Sequence, residues 1–480
     1  MSGGHLDDTI CAIATPMGEG GIGIVRVSGP HAIPFAAQIV ALRNRCDLHR
    51  AHNHRLYLGD LLVPKRQQQT SPNPSPERLD EVLVAVMRGP RSYTGEDVVE
   101  IHCHGGPLIL QMACEALIQA GARLAEPGEF TKRAFLNGRL DLTQAEAVLD
   151  TIRAATTIGL RIAQDQLKGE LGQRIARMRE ELIALLAHLE AGMDFVEEDV
   201  SFIEDREIDR TLERVLDELS RLLETADQGR IIREGLVTAI IGRPNVGKSS
   251  LLNALLQANR AIVSHIPGTT RDTLEECLNI NGVLLRLVDT AGLRDAADCI
   301  EQEGIRRTNE AVHQADLLLI VLDGSHALHP QDLELLSLEP EKRRIIIINK
   351  SDLGLQISES EIFGHLRNQN FFSVPPQLVC LSAKTGMGLD MLRTSIQSLA
   401  LGSSLEAPHS ILVSRLRHKT ALIEAKIGLE QARRALARGL SSECLALDIR
   451  TALTALGEIT GEVSTEDILD KIFSEFCIGK

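Results

Sequence analysis

The segment GRPNVGKS (242–249) sets two glycines, a lysine and a hydroxyl residue at the spacing of a phosphate-binding loop. Such a loop turns backbone N–H groups toward an oxyanion, and a helix beginning at its end adds the positive pole of its dipole. The apolar run 236–241 before it reads as a strand, and SLLNAL (250–255) after it reads as a helix. Lys248 is therefore expected to reach the β and γ phosphates of a nucleotide, and Ser249 to ligate Mg²⁺. The plainer alternative, a glycine turn beside a surface lysine, is disfavoured by the strand and helix on either side. The loop by itself does not separate ATP from GTP.

Two later segments bear on the base. NKSD (349–352) follows the apolar run 345–348, and SAK (382–384) follows the next one. A carboxylate at Asp352 can accept from both the ring N–H and the exocyclic amine of guanine. Adenine offers no such pair of donors, so a site of this kind rejects it by leaving a polar group unpaired. Between the phosphate loop and these motifs lie GTTRD (268–272) and DTAG (289–292). Asp289 is expected to hold Mg²⁺ through its outer shell, the Gly292 N–H to meet the γ-phosphate, and Thr270 to complete the metal site. Loops whose ordering depends on that phosphate behave as switches. Position 293 is leucine, which cannot orient an attacking water as a glutamine would. The acidic residues nearby are Asp295, Asp298 and Glu301, and spacing alone does not choose among them.

These motifs need a frame. Apolar runs at 236–241, 283–288, 317–322, 344–348 and 378–381 alternate with helical stretches, the pattern of a mostly parallel sheet covered on both faces. Ligands of such sheets sit at the carboxyl ends of the strands. Before this segment, apolar residues recur in steps of three and four from Leu160 to Leu189, as one stripe down one long helix. A similar stripe runs from Leu422 to Leu440, so the two are expected to bury against each other in a discontinuous helical domain with the sheet segment inserted. The first 127 residues mix short apolar or alternating runs with glycine and proline, the texture of a small α+β domain. Within it, 64–76 is rich in Gln, Ser and Pro and reads as an exposed loop. Near the other end, Ser464 with Asp467 three residues on reads as a helix start.

Lys and Arg total 51 against 66 Asp and Glu, so indiscriminate coating of nucleic acid is excluded while a local basic patch remains open. With aromatics at 2% and no Trp, a base-stacking surface must be small. An odd nine Cys without regular spacing suggests reduced thiols. The start of the chain lacks signal-peptide features and its aliphatic runs are too short to cross a bilayer, so a cytoplasmic protein without a membrane span is expected. HCH (102–104) could suggest zinc, but on a strand Cys103 points away from both histidines.

Together with GEGGIGIVRVSG (18–29), SYTGEDVVEIHCHGG (92–106), PGEFTKRAFLNGRLDLTQAEAV (127–148), IPGTTRD, DTAGLR and the closing CIGK, these motifs resemble the tRNA modification GTPases of the MnmE (TrmE) family across essentially the whole chain. The G motifs also occur in Era and Der GTPases, whereas the flanking segments are specific to this family. The resemblance implies a multidomain protein: a folate-binding-like α+β domain, also used for dimerisation, over 1–127; a discontinuous all-α domain over 128–229 and 402–480; and a P-loop, Ras-like G domain over 230–401. It implies guanine-nucleotide contacts from Asn245, Val246, Gly247, Lys248, Ser249 and Ser250, then from Ser264, His265, Ile266, Pro267, Gly268, Thr269 and Thr270. Asp289, Thr290, Ala291 and Gly292 follow, and then Asn349, Lys350, Ser351 and Asp352 with Ser382, Ala383 and Lys384. Mg²⁺ would be held by Ser249 and Thr270, and K⁺ by Asn245, Thr269 and the backbone at Ser264 and Ile266. The potassium ion would take the part of an arginine finger, in a site that becomes dry when two G domains meet. Glu301 matches the family glutamate that positions water, and Arg294 joins Lys248 and Glu301 among the implied catalytic residues.

By the same resemblance Arg26, Glu100, Arg139 and Lys480 match positions around 5-formyl- or 5,10-methylene-tetrahydrofolate. Arginines and a lysine suit its glutamate tail, and a carboxylate suits the pterin amine. Cys477 is linked in the family to the modification reaction; from the sequence a buried structural thiol is an equal reading. The implied protein is a cytoplasmic homodimer that hydrolyses GTP. It would form a heterotetramer with a GidA (MnmG)-type partner carrying FAD and using NADH, and install aminomethyl or carboxymethylaminomethyl groups at C5 of the tRNA wobble uridine. The alternative is a regulatory Era/Der-like GTPase of ribosome assembly, whose mark would be an RNA-binding appendage such as a KH domain; no GXXG loop stands in a suitable context.

Overall fold

A computed structural model describes residues 7–44, 46–63, 77–194, 204–259, 276–288, 309–367, 375–402 and 411–480. The chain forms two compact units, Met1–Leu149 with Gly457–Lys480, and Asp150–Leu456.

The first unit is built on a seven-stranded sheet. Its strands are β1 (Ile10–Ile13), β2 (Gly20–Ser28), β3 (Val40–Leu42), β4 (Leu56–Val63), β5 (Glu77–Met87), β6 (Val98–Gly105) and β7 (Arg123–Leu124), in the order β3-β4-β5-β6-β2-β1-β7. Pairing is antiparallel except between β1 and β7. Alternation decides the faces. Val25, Val27, Val82, Val84, Val99, Ile101 and Cys103 point into one core, which α1 (Ala32–Ile39) and α2 (Pro107–Gln119) cover. The residues between them, including Arg26, Glu100 and His102, therefore belong to the other face. Beyond this sheet, α3 (Glu129–Leu136) and the first part of α4 (Leu142–Arg153) meet the C-terminal helix Glu466–Ser474, with Leu142, Ala145 and Leu149 packed on Leu469, Phe473 and Phe476. That helix begins one residue later than expected: Thr465, not Ser464, is its N-cap, and no side chain caps it.

The second unit joins helices to a second sheet. Helices α5 (Thr157–Leu167), α6 (Glu170–Asp194), α7 (Asp205–Glu224) and α8 (Ala226–Glu234) lead into it. The continuous stripe expected from Leu160 to Leu189 is divided between α5 and α6, because Gly169 adopts φ 83° and ends the first helix. Leu171, Ile175, Met178, Leu182, Leu185 and Leu189 are buried as their period requires, whereas Leu160 is exposed.

The sheet follows as β8 (Leu236–Ile241), α9 (Lys248–Asn259), β9 (Glu276–Ile280), β10 (Val283–Leu287), β11 (Leu317–Asp323), α10 (Pro330–Ser337), β12 (Arg343–Asn349), α11 (Glu359–Arg367), β13 (Gln377–Cys380) and α12 (Leu389–Leu401). Its order is β13-β12-β11-β8-β10-β9, parallel throughout except for β9 on β10. Every residue of β11 is buried, since helices cover both faces; this is why it reads as an unbroken aliphatic run.

The chain ends this unit with α13 (Leu416–Ala437) and enters α14 (Ser442–Thr460). The stripe of α13 lies chiefly along α7 rather than along the 160–189 segment, and α7 packs in turn on α6. Leu422, Ala425, Leu429 and Ala432 are fully buried there, while Leu440 lies beyond the helix end and is exposed. Arg433 fixes the α7–α13 register by donating to Asp209 at 2.6 Å and to Glu213 at 3.1 Å.

Candidate functional site

At the carboxyl end of β8 the chain turns through residues 242–247 and enters α9 at Lys248. Within this turn Asn245, at φ 64°, and Gly247, at φ 100°, have left-handed backbone. Asparagine tolerates that region better than most side chains. At 247 only glycine fits, because a Cβ would stand 2.2 Å from Nδ2 of Asn349. Val246 is buried and anchors the loop in the core beneath. The Lys248 ammonium curls over the loop, donating to the carbonyls of Gly242 at 2.7 Å and Arg243 at 2.8 Å. Burial pushes its pKa down, the mark of a cation held where an anion would be welcome. Ser249 and Ser250 follow as the first residues inside the helix, and both are exposed. Motif reading had no signal for the Arg243–Asp332 pair, in which Arg243 Nε donates at 2.7 Å to a carboxylate that is 1% exposed. Asp332 lies in the first turn of α10, so this contact ties the phosphate loop to the layer behind it.

The second half of the site grows from the ends of β12 and β13. Asn349, 2% exposed, donates from Nδ2 to the Val246 carbonyl at 2.8 Å and accepts at Oδ1 from the Ala383 N–H at 3.0 Å. One amide thus holds the phosphate loop and the SAK turn together. Lys350, at φ 62°, donates to Asp323 at 2.6 Å. Burial alone would raise the Asp323 carboxyl, but the bonds from Lys350 and Ser325 outweigh it and hold its pKa at about 2. Ser351 N–H bonds the Leu381 carbonyl, which brings NKSD beside SAK. Asp352 is exposed and kept ionised by the Ser382 hydroxyl first, with Lys384 adding a favourable field. An ionised acceptor-only carboxylate over an open edge can receive two N–H donors from one base.

A different chemistry collects on the open face of the first sheet. Arg26 and Glu100 are cross-strand partners on β2 and β6, joined by Nε–Oε1 and Nη2–Oε1 contacts of 2.9 and 2.8 Å. The guanidinium lies over the rings of Tyr93 and Phe130, at 5.7 and 5.6 Å, and donates to the Gly479 carbonyl at 3.3 Å. His102 Nε2 stands 3.4 Å from the other Glu100 oxygen, whereas Cys103 is buried in the core and His104 pairs with Asp80. The tail reaches this face because the Phe130 N–H bonds the Lys480 carbonyl at 3.0 Å and Gly128 N–H bonds that of Cys477 at 3.5 Å. Gly479, at φ 96°, passes so close that a Cβ would meet the Ile13 carbonyl at 2.3 Å. Burial, and then the charge of Arg26, lower the pKa of Lys480, with Glu100 only partly offsetting them. Arg26, Glu100 and Lys480 are thus brought together at one point of the face, where a carboxylate flanked by two cations can accept from an amidine-like edge. Arg139 is exposed and donates to the Ser92 carbonyl, in the loop that also carries Tyr93. The Cys477 thiol is exposed, so the buried-thiol reading does not hold.

Ser264, His265, Ile266, Pro267, Gly268, Thr269, Thr270, Asp289, Thr290, Ala291, Gly292, Arg294 and Glu301 lie outside the described residues, as does the segment 64–76. Among the described residues no helix is long and apolar enough to cross a membrane.

The family profile "GTP-binding protein TrmE N-terminus" matches residues 9–139, and that of the MnmE helical domain matches 142–477. The chain is 44% identical over 473 residues to the tRNA modification GTPase MnmE of Thermoanaerobacter pseudethanolicus, covering 98% of this chain and 99% of that one. It is 48% identical over 476 residues to the protein of the same description from Moorella thermoacetica, covering 99% and 100%. Among solved structures, the G domain of the T. maritima FeoB iron transporter aligns with 34% of this chain and 98% of its own, at 29% identity and a TM-score of 0.26. With both family profiles matched and likeness along its full length, the chain belongs to the MnmE (TrmE) family of tRNA modification GTPases, and is a multidomain GTP hydrolase whose turnover is coupled to tRNA modification.

Proposed function

We propose that this chain is a potassium-dependent GTPase that works with a flavin-dependent partner of the GidA (MnmG) type. Together they would place aminomethyl or carboxymethylaminomethyl groups at C5 of the tRNA wobble uridine, with a tetrahydrofolate supplying the one-carbon unit. The observation that carries the folate reading is the trio Arg26, Glu100 and Lys480, two cations and a carboxylate on one sheet face. Because Arg26 and Glu100 are joined at 2.8 Å they would meet the same end of the folate, Glu100 accepting from the pterin amine with Arg26 and Lys480 beside it and Arg139 at the margin. Cys477, exposed and within the field of Lys480, is available to the modification chemistry.

For hydrolysis, Lys248 and the N–H groups of Val246, Gly247 and Ser249 would bind the phosphates, Asp352 the base, and Ser249 with Thr270 the Mg²⁺. Arg294 and Glu301 would act at the reacting phosphate, Glu301 by orienting water. The left-handed backbone at Asn245 supports a loop that can turn this side chain toward a monovalent cation. K⁺ there, with Thr269, Ser264 and Ile266, would add positive charge beside the phosphate bridge when two copies close. We assign folate binding and dimerisation to 1–127, the helical domain to 128–229 with 402–480, and the G domain to 230–401.

Two measurements test this reading. Calorimetric titration of the full chain with 5-formyl-tetrahydrofolate should give saturable binding that Glu100→Gln weakens by more than tenfold; equal affinity in the variant removes the folate assignment. GTP turnover should be faster in KCl than in NaCl of equal ionic strength, and equal rates remove the cation.

A further inference from the structure

The chain carries a formal net charge of −15, yet acts on a polyanion. Attraction must therefore be local. In the first unit, the connection between β3 and β4 and the start of that between β5 and β6 form one basic double loop. Arg88 N–H donates to Asn53 Oδ1 at 2.8 Å, Arg88 Nη2 to the His49 carbonyl at 2.8 Å, and His54 N–H to the Val86 carbonyl at 2.9 Å. His52 N–H bonds the Tyr57 hydroxyl, and Leu48 and Ala51 are buried in the core. The backbone is thus fixed, and Arg50, His52, His54, Arg55 and Arg91 project from it exposed. Among the described residues, Arg50, Arg55, Arg88 and Arg91 form no direct ion pair with an acid, and only Arg50 lies in the field of a loop carboxylate, that of Asp47. The acids of the two loops are already engaged: Asp47 by His49, Glu96 by Arg133 and Ser28, and Asp97 by the Gly89 N–H.

We propose that this double loop is the landing surface for the phosphate backbone of tRNA. Arginine forks match phosphate oxygens, and a preformed loop adds little ordering cost. The β5–β6 loop continues into Ser92 and Tyr93, which border Arg139 and Arg26, so RNA anchored here lies along the rim of that sheet face. Among the described residues no Phe or Tyr ring is exposed between these arginines, so phosphate contacts dominate and the surface positions the RNA more than it reads its sequence. The inference rests on the family's tRNA substrate and not on folate binding; a failed folate titration leaves it standing.

The test is fluorescence anisotropy of the full chain with an unmodified tRNA transcript over a range of KCl concentrations. Arg50→Gln/Arg55→Gln/Arg91→Gln should lower affinity at least about tenfold at low salt and flatten the log–log salt dependence by about 2 to 3. Arg206→Gln/Arg210→Gln, on the exposed side of α7, should change neither. GTP turnover without RNA should match wild type in both variants, and Arg91→Glu alone should weaken binding more than Arg91→Gln. An unchanged affinity and slope in the triple variant overturns the proposal, as does an equal loss in the α7 pair, which would make the effect one of bulk charge. Retained tRNA binding with lost binding to phosphatidylglycerol vesicles also overturns it, in favour of a lipid surface.

Discussion

Replacing Asn349 by alanine tests the clamp between the two halves of the nucleotide site. The substitution removes both amide bonds, the 2.8 Å bond to the Val246 carbonyl and the 3.0 Å bond from the Ala383 N–H. Asn349 is 2% exposed, so neither backbone group recovers a full partner from solvent. An unsatisfied buried group costs about 1 to 3 kcal/mol, and the lower part of that range suits groups near an open cleft, giving about 2 to 4 kcal/mol for the pair. Because the bonds hold the loop and the SAK turn in register, much of this loss falls on the bound state. GTP affinity should drop by about 30-fold to about 1000-fold. Displacement of a fluorescent guanine nucleotide measures it, with melting curves to confirm a folded variant. Gly247→Ala provides a cross-check: its Cβ would stand 2.2 Å from Asn349 Nδ2, so part of its cost should vanish when Asn349 is already alanine. A folded Asn349→Ala protein that binds GTP within about threefold of wild type, or strict additivity with Gly247→Ala, would falsify the clamp.

Asp352→Asn exchanges an acceptor-only carboxylate for an amide, so GTP should bind more weakly and xanthosine triphosphate more tightly; competition between the two nucleotides reads the change, and an unaltered preference excludes Asp352 from the base. Gly479→Ala forces a side chain into left-handed backbone 2.3 Å from the Ile13 carbonyl, so thermal stability should fall by about 1 to 3 kcal/mol. Wild-type melting would show that the tail sits elsewhere. Burial alone would raise the carboxyls of Glu129 and Asp8, but Arg123 and Arg133 outweigh it and both pKa values are lowered in the folded chain. Their contribution to stability is therefore present above the ordinary carboxylate range and is lost as pH falls through the lowered values. Melting temperatures followed from pH 7 down to about 3 should decline less steeply in Glu129→Gln, and parallel curves would count against the network.

The centres of strands buried on both faces, Leu317 to Leu322 in β11 and Ile345 to Ile348 in β12, are readable from the chain as unbroken aliphatic runs. The phosphate loop was readable because its chemistry is packed into eight consecutive positions. Helix partners were not. An amphipathic stripe states that a face is covered without saying by what, and α7 offers α13 a stripe as good as that of α6. The break at Gly169 leaves no mark in the periodicity, because apolar residues at 167 and 171 keep helical spacing across it. The surroundings of Arg26 were hidden for a topological reason: Glu100 is 74 residues away in the chain and meets it through sheet register, and Tyr93 and Phe130 arrive from other connections. Asn349 shows a further limit, since a motif reading assigns it to the base while its two amide bonds join separate backbone turns.

The first unit takes its two pieces from either side of the second. During translation, Leu142 and Leu149 leave the ribosome well before Leu469, Phe473 and Phe476, the side chains that cover them. About three hundred residues separate the two pieces, which at about 5 to 20 residues per second is a wait of roughly 15 to 60 seconds. Through that interval the nascent chain displays an apolar seam with no mate, and a chaperone that shields it, or a pause that lengthens it, would govern the yield of mature protein.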